Sequence, residues 1–220
     1  MRVHHTMKYA LIKLPPPLLK GKVSLEEAIA SRRSVRRYRS EPLTLSQLGQ
    51  LLWSAQGITG PEKLRAAPSA GATYPLEIFV FVGQQAVITS EAKQSLSWEE
   101  LPAGIYHYEV DSHSLSLHKP GDLRDKLARA ALDEGFIANA PIDIVIYALY
   151  TRTSYTYGRR GERYVHMEAG HVGENIHLQA VALGLATVEV GAFDDEEVRK
   201  VLGLEEQIKP LYIMPIGKPV

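Results

Sequence analysis

The stretch ERYVHMEAGHVGENIHLQAVAL, residues 162 to 183, carries the longest helical pattern in the chain, and Gly184 closes it. A helix of this length is the natural axis of a core, so the rest of the chain has to be arranged around it. What surrounds it is mixed. LEIFVFVG (76–83) and APIDIVIYALY (140–150) read as buried strands, AGIYHYEVDSHSLSLHKPG (103–121) as a hairpin turning near Asp111 and Ser112, and ATVEVG and PLYIMPIG as short strands near the end. Strands interleaved with helices and a hairpin favour an α+β sandwich over a doubly wound parallel sheet.

The shorter helices carry their own signals. Ser24 precedes Glu27 by the capping-box interval and leads the stripe Leu25, Ala28, Ile29. Thr44 or Ser46 opens a second helix with Leu45, Leu48, Leu51, Leu52 and Ala55 on its buried face and Gly57 as its stop. DLRDKLARAAL and DDEEVRKVLG complete the set, the latter with its acids at the N-terminal end, where the dipole favours them. Residues 1–23, which include the triplet Pro15 to Pro17, are expected to form an extended arm, and RAAPSAGATYP (65–75) an irregular loop of small residues.

The 220 residues suffice for one substantial core, so one domain over 1–220 is expected. Twenty-five basic and twenty-five acidic residues give no global field to attract nucleic acid or an anionic membrane. Cysteine is absent, which removes disulfides, thiolate metal sites and cysteine nucleophiles, so redox chemistry would need a borrowed cofactor. The N-terminus lacks the apolar core of a signal peptide, and the expectation is a soluble cytoplasmic protein with no membrane partner.

The motif search is mostly negative. No G-x-G-x-x-G follows a strand, and there is no Walker loop, H-E-x-x-H or G-x-S-x-G. His171, Glu174 and His177 drift around the helix at three-residue steps, a poor cage for zinc, so no metal is expected. Ser69 sits among small residues without an adjacent histidine, which argues against a nucleophile. The one concentrated charge is RRSVRRY (32–38), four arginines in seven positions where the first helix stops. One or two of them could simply meet the helix dipole. Four, with Ser34 among them, could equally converge on a phosphate.

AIASRRSVRRY, RAAPSAGATYPLEIFV, AGHVGENIHLQAVALGLATVEVGAF and PLYIMPIGKP occur in an order and spacing that resemble the nitroreductase superfamily of flavin mononucleotide (FMN) enzymes, from Ser24 to Pro219. The wording PSAGATYPLE and LGQLLWSAQGIT is more similar to the SagB-type dehydrogenase branch, which includes azoline-oxidising enzymes. The resemblance implies a nitroreductase-like sandwich, a central mixed or antiparallel sheet flanked by helices, in an intertwined homodimer with a flavin at each interface. It assigns Arg32, Arg33, Ser34 and Arg36 to the flavin phosphate and ribityl chain. Pro68, Ser69, Ala70 and Gly71 would lie against the ring from the other subunit, and Glu189, Val190 and Gly191 would approach its N5 edge, chiefly through backbone amides. Tyr74 and Tyr157 fall on the substrate side.

The implied activity is hydride transfer between NAD(P)H and a small acceptor such as a nitro compound or quinone through flavin N5. The alternative is a SagB-type oxidation of a peptide or small heterocycle. Three departures from the pattern bear on this. Ala72 stands where the classical branch has a ring-contacting asparagine; no basic tail follows Gly217, so Lys218 or another arginine would have to substitute; and the stretch SYTYGRRGERY, expected as a loop over 150–160, offers Thr156 and Tyr157 where azoline oxidases carry Lys-Tyr. Threonine cannot act as the base that azoline oxidation needs. Packing at a subunit interface is the other reading of Tyr147, Tyr150, Tyr155 and Tyr157.

Overall fold

The computed structural model describes residues 11–89 and 99–220. The first ten residues of the expected arm lie outside that description. Two strands with near-continuous apolar sequence, β3 (Leu76–Val82) and β7 (Ile142–Leu149), pair antiparallel at the centre of a seven-stranded sheet. Alternation sends Leu76, Ile78, Val80 and Val82 with Ile142, Ile144 and Ile146 to one face, and Phe79 and Phe81 with Val145 and Tyr147 to the other. Both faces are covered by helices, which is why these runs show no polar alternation.

Outside the central pair lie β5 (Gly104–Glu109) and β6 (Ser114–Pro120), the expected hairpin, whose turn is closed by His113 at φ +44°. On the other flank β9 (Ile208–Gly217) pairs with β7, and β8 (Ala186–Thr187) with β9. β1 (Ile12–Lys13) adds to β6, giving the order β1-β6-β5-β3-β7-β9-β8 with antiparallel neighbours throughout. A separate parallel pair joins β2 (Leu43–Thr44) to β4 (Val87–Ile88).

The first sheet face packs on α2 (Leu45–Gln56) and α6 (Arg160–Ala182), the long axial helix. Thr44 and Gln47 form the capping box of α2, and Ser24 and Glu27 that of α1 (Leu25–Ser31). The second face packs on α3 (Arg124–Ala130), α4 (Gly135–Asn139) and α7 (Asp195–Leu202). The described part of the arm runs across α2, where Gln50 accepts from the Leu18 N–H and donates to its carbonyl.

Two sequence expectations are corrected, and one element, α4, has no counterpart among them because its five residues are too few to carry a periodic signal. ATVEVG is not a continuous strand: after Thr187 the chain leaves β9 and touches it again only at Val190, opposite Ile213. Residues 150–157 are not a loop but a helix, α5 (Tyr150–Tyr157). α5 buries Thr153 and packs tightly on α6 at Gly161, where an added Cβ would come 2.8 Å from the Ser154 backbone.

Asp143 is the exception within β7. It is fully buried, neither carboxylate oxygen has a hydrogen-bond partner among the described residues, and burial drives its pKa well up although Arg124 opposes the shift. A raised carboxyl pKa means that stability falls as pH rises from the unfolded value toward the folded one. Asp143→Val is therefore expected to stabilise the chain at neutral pH by about 1–3 kcal/mol and to abolish that fall, as read by urea unfolding across pH.

Candidate cofactor site

The arginine segment leaves α1 and is pinned in extended form against the sheet edge. The Val35 N–H donates to the Thr187 carbonyl at 3.0 Å, the Arg39 N–H to Lys218 O at 2.9 Å, and the Tyr38 hydroxyl to the carbonyls of Val35 and Pro215. The arginines divide into two sets. Arg33 turns back to the carbonyls of Ala30 and Arg32, capping α1 as the dipole argument anticipates. The side chains of Arg32, Arg36 and Arg37 form no hydrogen bond or ion pair with any described residue, and Arg36 overlies the Phe136 ring, 5.8 Å from its centroid. Ser34 is exposed between them. Lys218 is paired with Glu41 at 2.6 Å.

Beneath this segment His177 of α6 is completely buried, with Nδ1 2.8 Å from Glu189 Oε1 and Nε2 3.2 Å from the Arg33 carbonyl. Burial alone would lower the His177 pKa, but the Glu189 hydrogen bond and charge and the Arg33 carbonyl outweigh it and leave it raised. For Glu189, burial pushes upward and the His177 contact holds the carboxyl below its usual range. Glu174 completes a group whose ligand atoms lie within 4.8 Å of one another. Both imidazole nitrogens already face acceptors, so this is an ion pair rather than an open metal cage.

Of the three residues expected at the ring edge, Val190 has its N–H and C=O both bonded to Ile213. The Glu189 side chain is turned to His177. The Gly191 N–H has no partner among the described residues and is exposed, and its nearest neighbour, Tyr212, leaves ordinary van der Waals room.

The small-residue loop forms a second centre. Ala70–Ala72 make a single tight turn in which Gly71 has φ +58°, and a Cβ there would meet the Tyr157 hydroxyl at 2.6 Å. Pro68 is exposed, and Ser69 accepts from the Tyr74 N–H at 3.0 Å and bonds to Glu168. Glu168 is buried beside Gln56, and Arg65 donates to Gln56 at 2.9 Å. Burial raises the Glu168 pKa, partly offset by Ser69 and Gln56. Tyr74 supports this loop from within: its hydroxyl accepts from the Arg65 N–H, and its ring lies under the Arg65 guanidinium at 4.4 Å. Tyr157 is half-buried at the loop, whereas Thr156 points to solvent.

The two centres lie on opposite faces of one helix. From Glu168 to His177 is nine residues of α6, a rotation of roughly 180° and a rise of about 13 Å. Glu168 and Asn175 face α2, through Gln56 and the Ser54 carbonyl, while Gly173 and His177 face Glu189. Beyond Gly173, on that second face, a cavity of about 950 Å³ is lined by His166, Tyr150, Asp195, Lys209 and Leu211. In it the Tyr150 hydroxyl is 2.5 Å from His166 Nε2. Burial and the charges of Glu162 and Asp195 push the Tyr150 pKa up to about 12.

Glu168 went unnoticed in the sequence and His177 was weighed only as a zinc ligand, yet a signal for both existed. Both occupy positions next to Val165, Ala169, Val172, Ile176 and Ala180 on the apolar stripe of α6, where a titratable residue has to find a partner.

Residues 29–218 match the Nitroreductase family. The chain belongs to that family. A Methanocaldococcus jannaschii protein named as a nitroreductase is 45% identical over 198 residues, covering 90% of this chain and 92% of its own. The structure of a Ralstonia eutropha protein named as a nitroreductase superposes with a TM-score of 0.78 at 27% identity, over 96% of this chain and 90% of the other. The microcin B17-processing protein McbC of Escherichia coli is 24% identical over 80% of this chain and 62% of its own length, which agrees with the SagB-type resemblance. An NADPH:FMN oxidoreductase from Vibrio harveyi shares the fold at 20% identity and a TM-score of 0.60, over 89% of this chain and 68% of that one. The nitroreductase family member described here is thus an oxidoreductase of the flavin-dependent kind. Among the described residues no helix is long and apolar enough to cross a membrane.

Proposed function

We propose that this nitroreductase binds FMN between two copies of the chain and passes hydride equivalents from NAD(P)H to a small acceptor such as a nitro compound or a quinone. The observation that carries this reading is that the guanidinium groups of Arg32 and Arg36, unpaired among the described residues, stand on a segment bonded through Val35 to Thr187, four residues before the Gly191 N–H. Together they offer phosphate donors at one end and a ring-edge donor at the other, which fits FMN. Bound FMN would supply the hydride-transfer chemistry itself.

Arg32, Arg36 and Ser34 would hold the phosphate and ribityl chain, with Arg33 keeping α1 closed behind them. Pro68, Ser69, Ala70 and Gly71 would come from the second copy, because in one copy α6 stands between them and the arginines. A second copy also suits the exposed Leu18, Leu19, Leu25 and Ile29, the first three of which line a groove with Trp53 and Leu178. The acceptor would enter from the Tyr150–His166 cavity, where the hydroxyl–imidazole pair can deliver a proton, with Tyr157 on the loop side.

Oxidation of an azoline-like substrate finds no lysine in α5, so reduction of an acceptor is the reading retained. The test is an anaerobic absorbance spectrum of the FMN-reconstituted protein on addition of NADH or NADPH. The flavin band is expected to bleach with one or both donors and to return on adding a quinone. A band that persists contradicts the proposed electron donor.

A further inference from the structure

His177 makes a demand on protons that the arrangement around it fixes. The Arg33 carbonyl can only accept a hydrogen bond, so Nε2 has to carry a hydrogen. An ionised Glu189 carboxylate can likewise only accept, so Nδ1 has to carry one as well. The pair therefore holds one proton more than a neutral imidazole beside a carboxylate, in a pocket where the ring has no exposed surface. The charged groups facing the ring are Glu189 from the segment after β8, Glu174 from the preceding turn of α6, and Arg32 from the segment after α1. Two acids against one additional cation favour keeping that proton.

The partners of the ring define its use. Arg33 lies within the segment assigned to the phosphate, and Glu189 begins the segment that presents Gly191 to the ring edge. We propose that His177, doubly protonated, is a positioning residue that holds these two segments in register, so that loss of its proton loosens the grip on FMN. The proposal rests on the FMN reading above. The ring touches neither phosphate nor flavin; it sets the spacing of the groups that do.

The raised pKa of His177 fixes the sign. The contribution of the clamp is complete below the ordinary histidine value of about 6.5 and is lost as pH rises through the higher folded value. The lowered pKa of Glu189 sets the other limit: its part is present above the usual carboxylate range and is lost as pH falls through the folded value.

Nitrogen-15 NMR of the imidazole in the flavin-free protein tests the proton count directly. Both ring nitrogens of His177 are expected to show imidazolium shifts at neutral pH and to titrate above the ordinary histidine value, and Glu189→Gln is expected to move that midpoint down. A neutral single tautomer at neutral pH overturns the proposal. In parallel, wild-type FMN affinity, read by quenching of flavin fluorescence, is expected to fall about tenfold as pH rises through the midpoint, while His177→Gln binds weakly at all pH values without that step. Equal affinity and an equal pH profile in wild type and variant also overturn the clamp, while leaving the FMN reading intact. If the wild-type protein binds no FMN at any pH, the FMN reading itself fails, and the clamp's role in cofactor binding fails with it, even where the imidazolium is observed. Should His177→Gln not fold, the NMR titrations of wild type and Glu189→Gln still decide the proton count.

Discussion

Replacing Arg32 and Arg36 together with alanine is expected to weaken FMN binding by roughly a hundredfold or more while leaving the thermal midpoint almost unchanged. A charge-assisted hydrogen bond contributes about 1.5–3 kcal/mol, so losing two exceeds what the remaining arginines can replace. Stability is spared because neither side chain is bonded to any described residue, and the C-terminus of α1 is capped by Arg33 instead. The contact of Arg36 with Phe136 is a minor loss, about 0.5–1 kcal/mol at an exposed position. The measurement pairs FMN titration with calorimetry, and unchanged affinity would remove the phosphate assignment.

Gly71→Val is expected to abolish FMN binding from the other side of the site. Gly71 stands at φ +58°, where a β-branched residue is strained by about 1–2 kcal/mol, and its Cβ would strike the Tyr157 hydroxyl. The loop has to shift, and with it Pro68, Ser69 and Ala70. The core is not involved, since Gly71 is exposed and Glu168 keeps its bond to Gln56. A fall of a few degrees in Tm with complete loss of bound flavin is therefore the expected pair of results. Retention of flavin with the loop displaced would mean that these residues do not approach the ring.

How far the sequence revealed all this depended on the range of the interactions. Caps are local, so Ser24 could be placed from Glu27 three residues away, and the cap of α2 narrowed to Thr44 or Ser46, of which the structure uses Thr44. β3 and β7 could be recognised because a strand buried on both faces is apolar at nearly every position, Glu77 and Asp143 being the exceptions here. α5 was hidden because its eight residues are mostly polar and tyrosine-rich, with Thr153 its buried side chain, and it packs closely against Gly161. ATVEVG fits a strand by composition, but Val190 is paired across a break that only the tertiary arrangement dictates.

The site was legible to the extent that charge density is visible in one dimension. Four arginines in seven residues mark a place, but which of them is free depends on where Arg33 folds back and where Lys218 meets Glu41. The role of Val190 could not be read from composition, because its amide is consumed by a strand more than twenty residues away. The pairings of His177 and Glu168 were silent for the same reason: their partners, Arg33, Glu189, Ser69 and Gln56, lie on other elements. The family resemblance supplied the assignment of both halves, and the structure adds that α6 separates them.

The claim that the site is divided between two copies has a direct measurement. The Arg32→Ala/Arg36→Ala chain and the Gly71→Val chain, each flavin-free alone, are co-expressed with different tags, and the mixed dimer is isolated on both tags and its flavin counted. A divided site predicts one FMN per mixed dimer, because one interface combines the intact arginines of one chain with the intact loop of the other. A mixed dimer that stays colourless at saturating FMN would contradict the division and place both halves within a single chain.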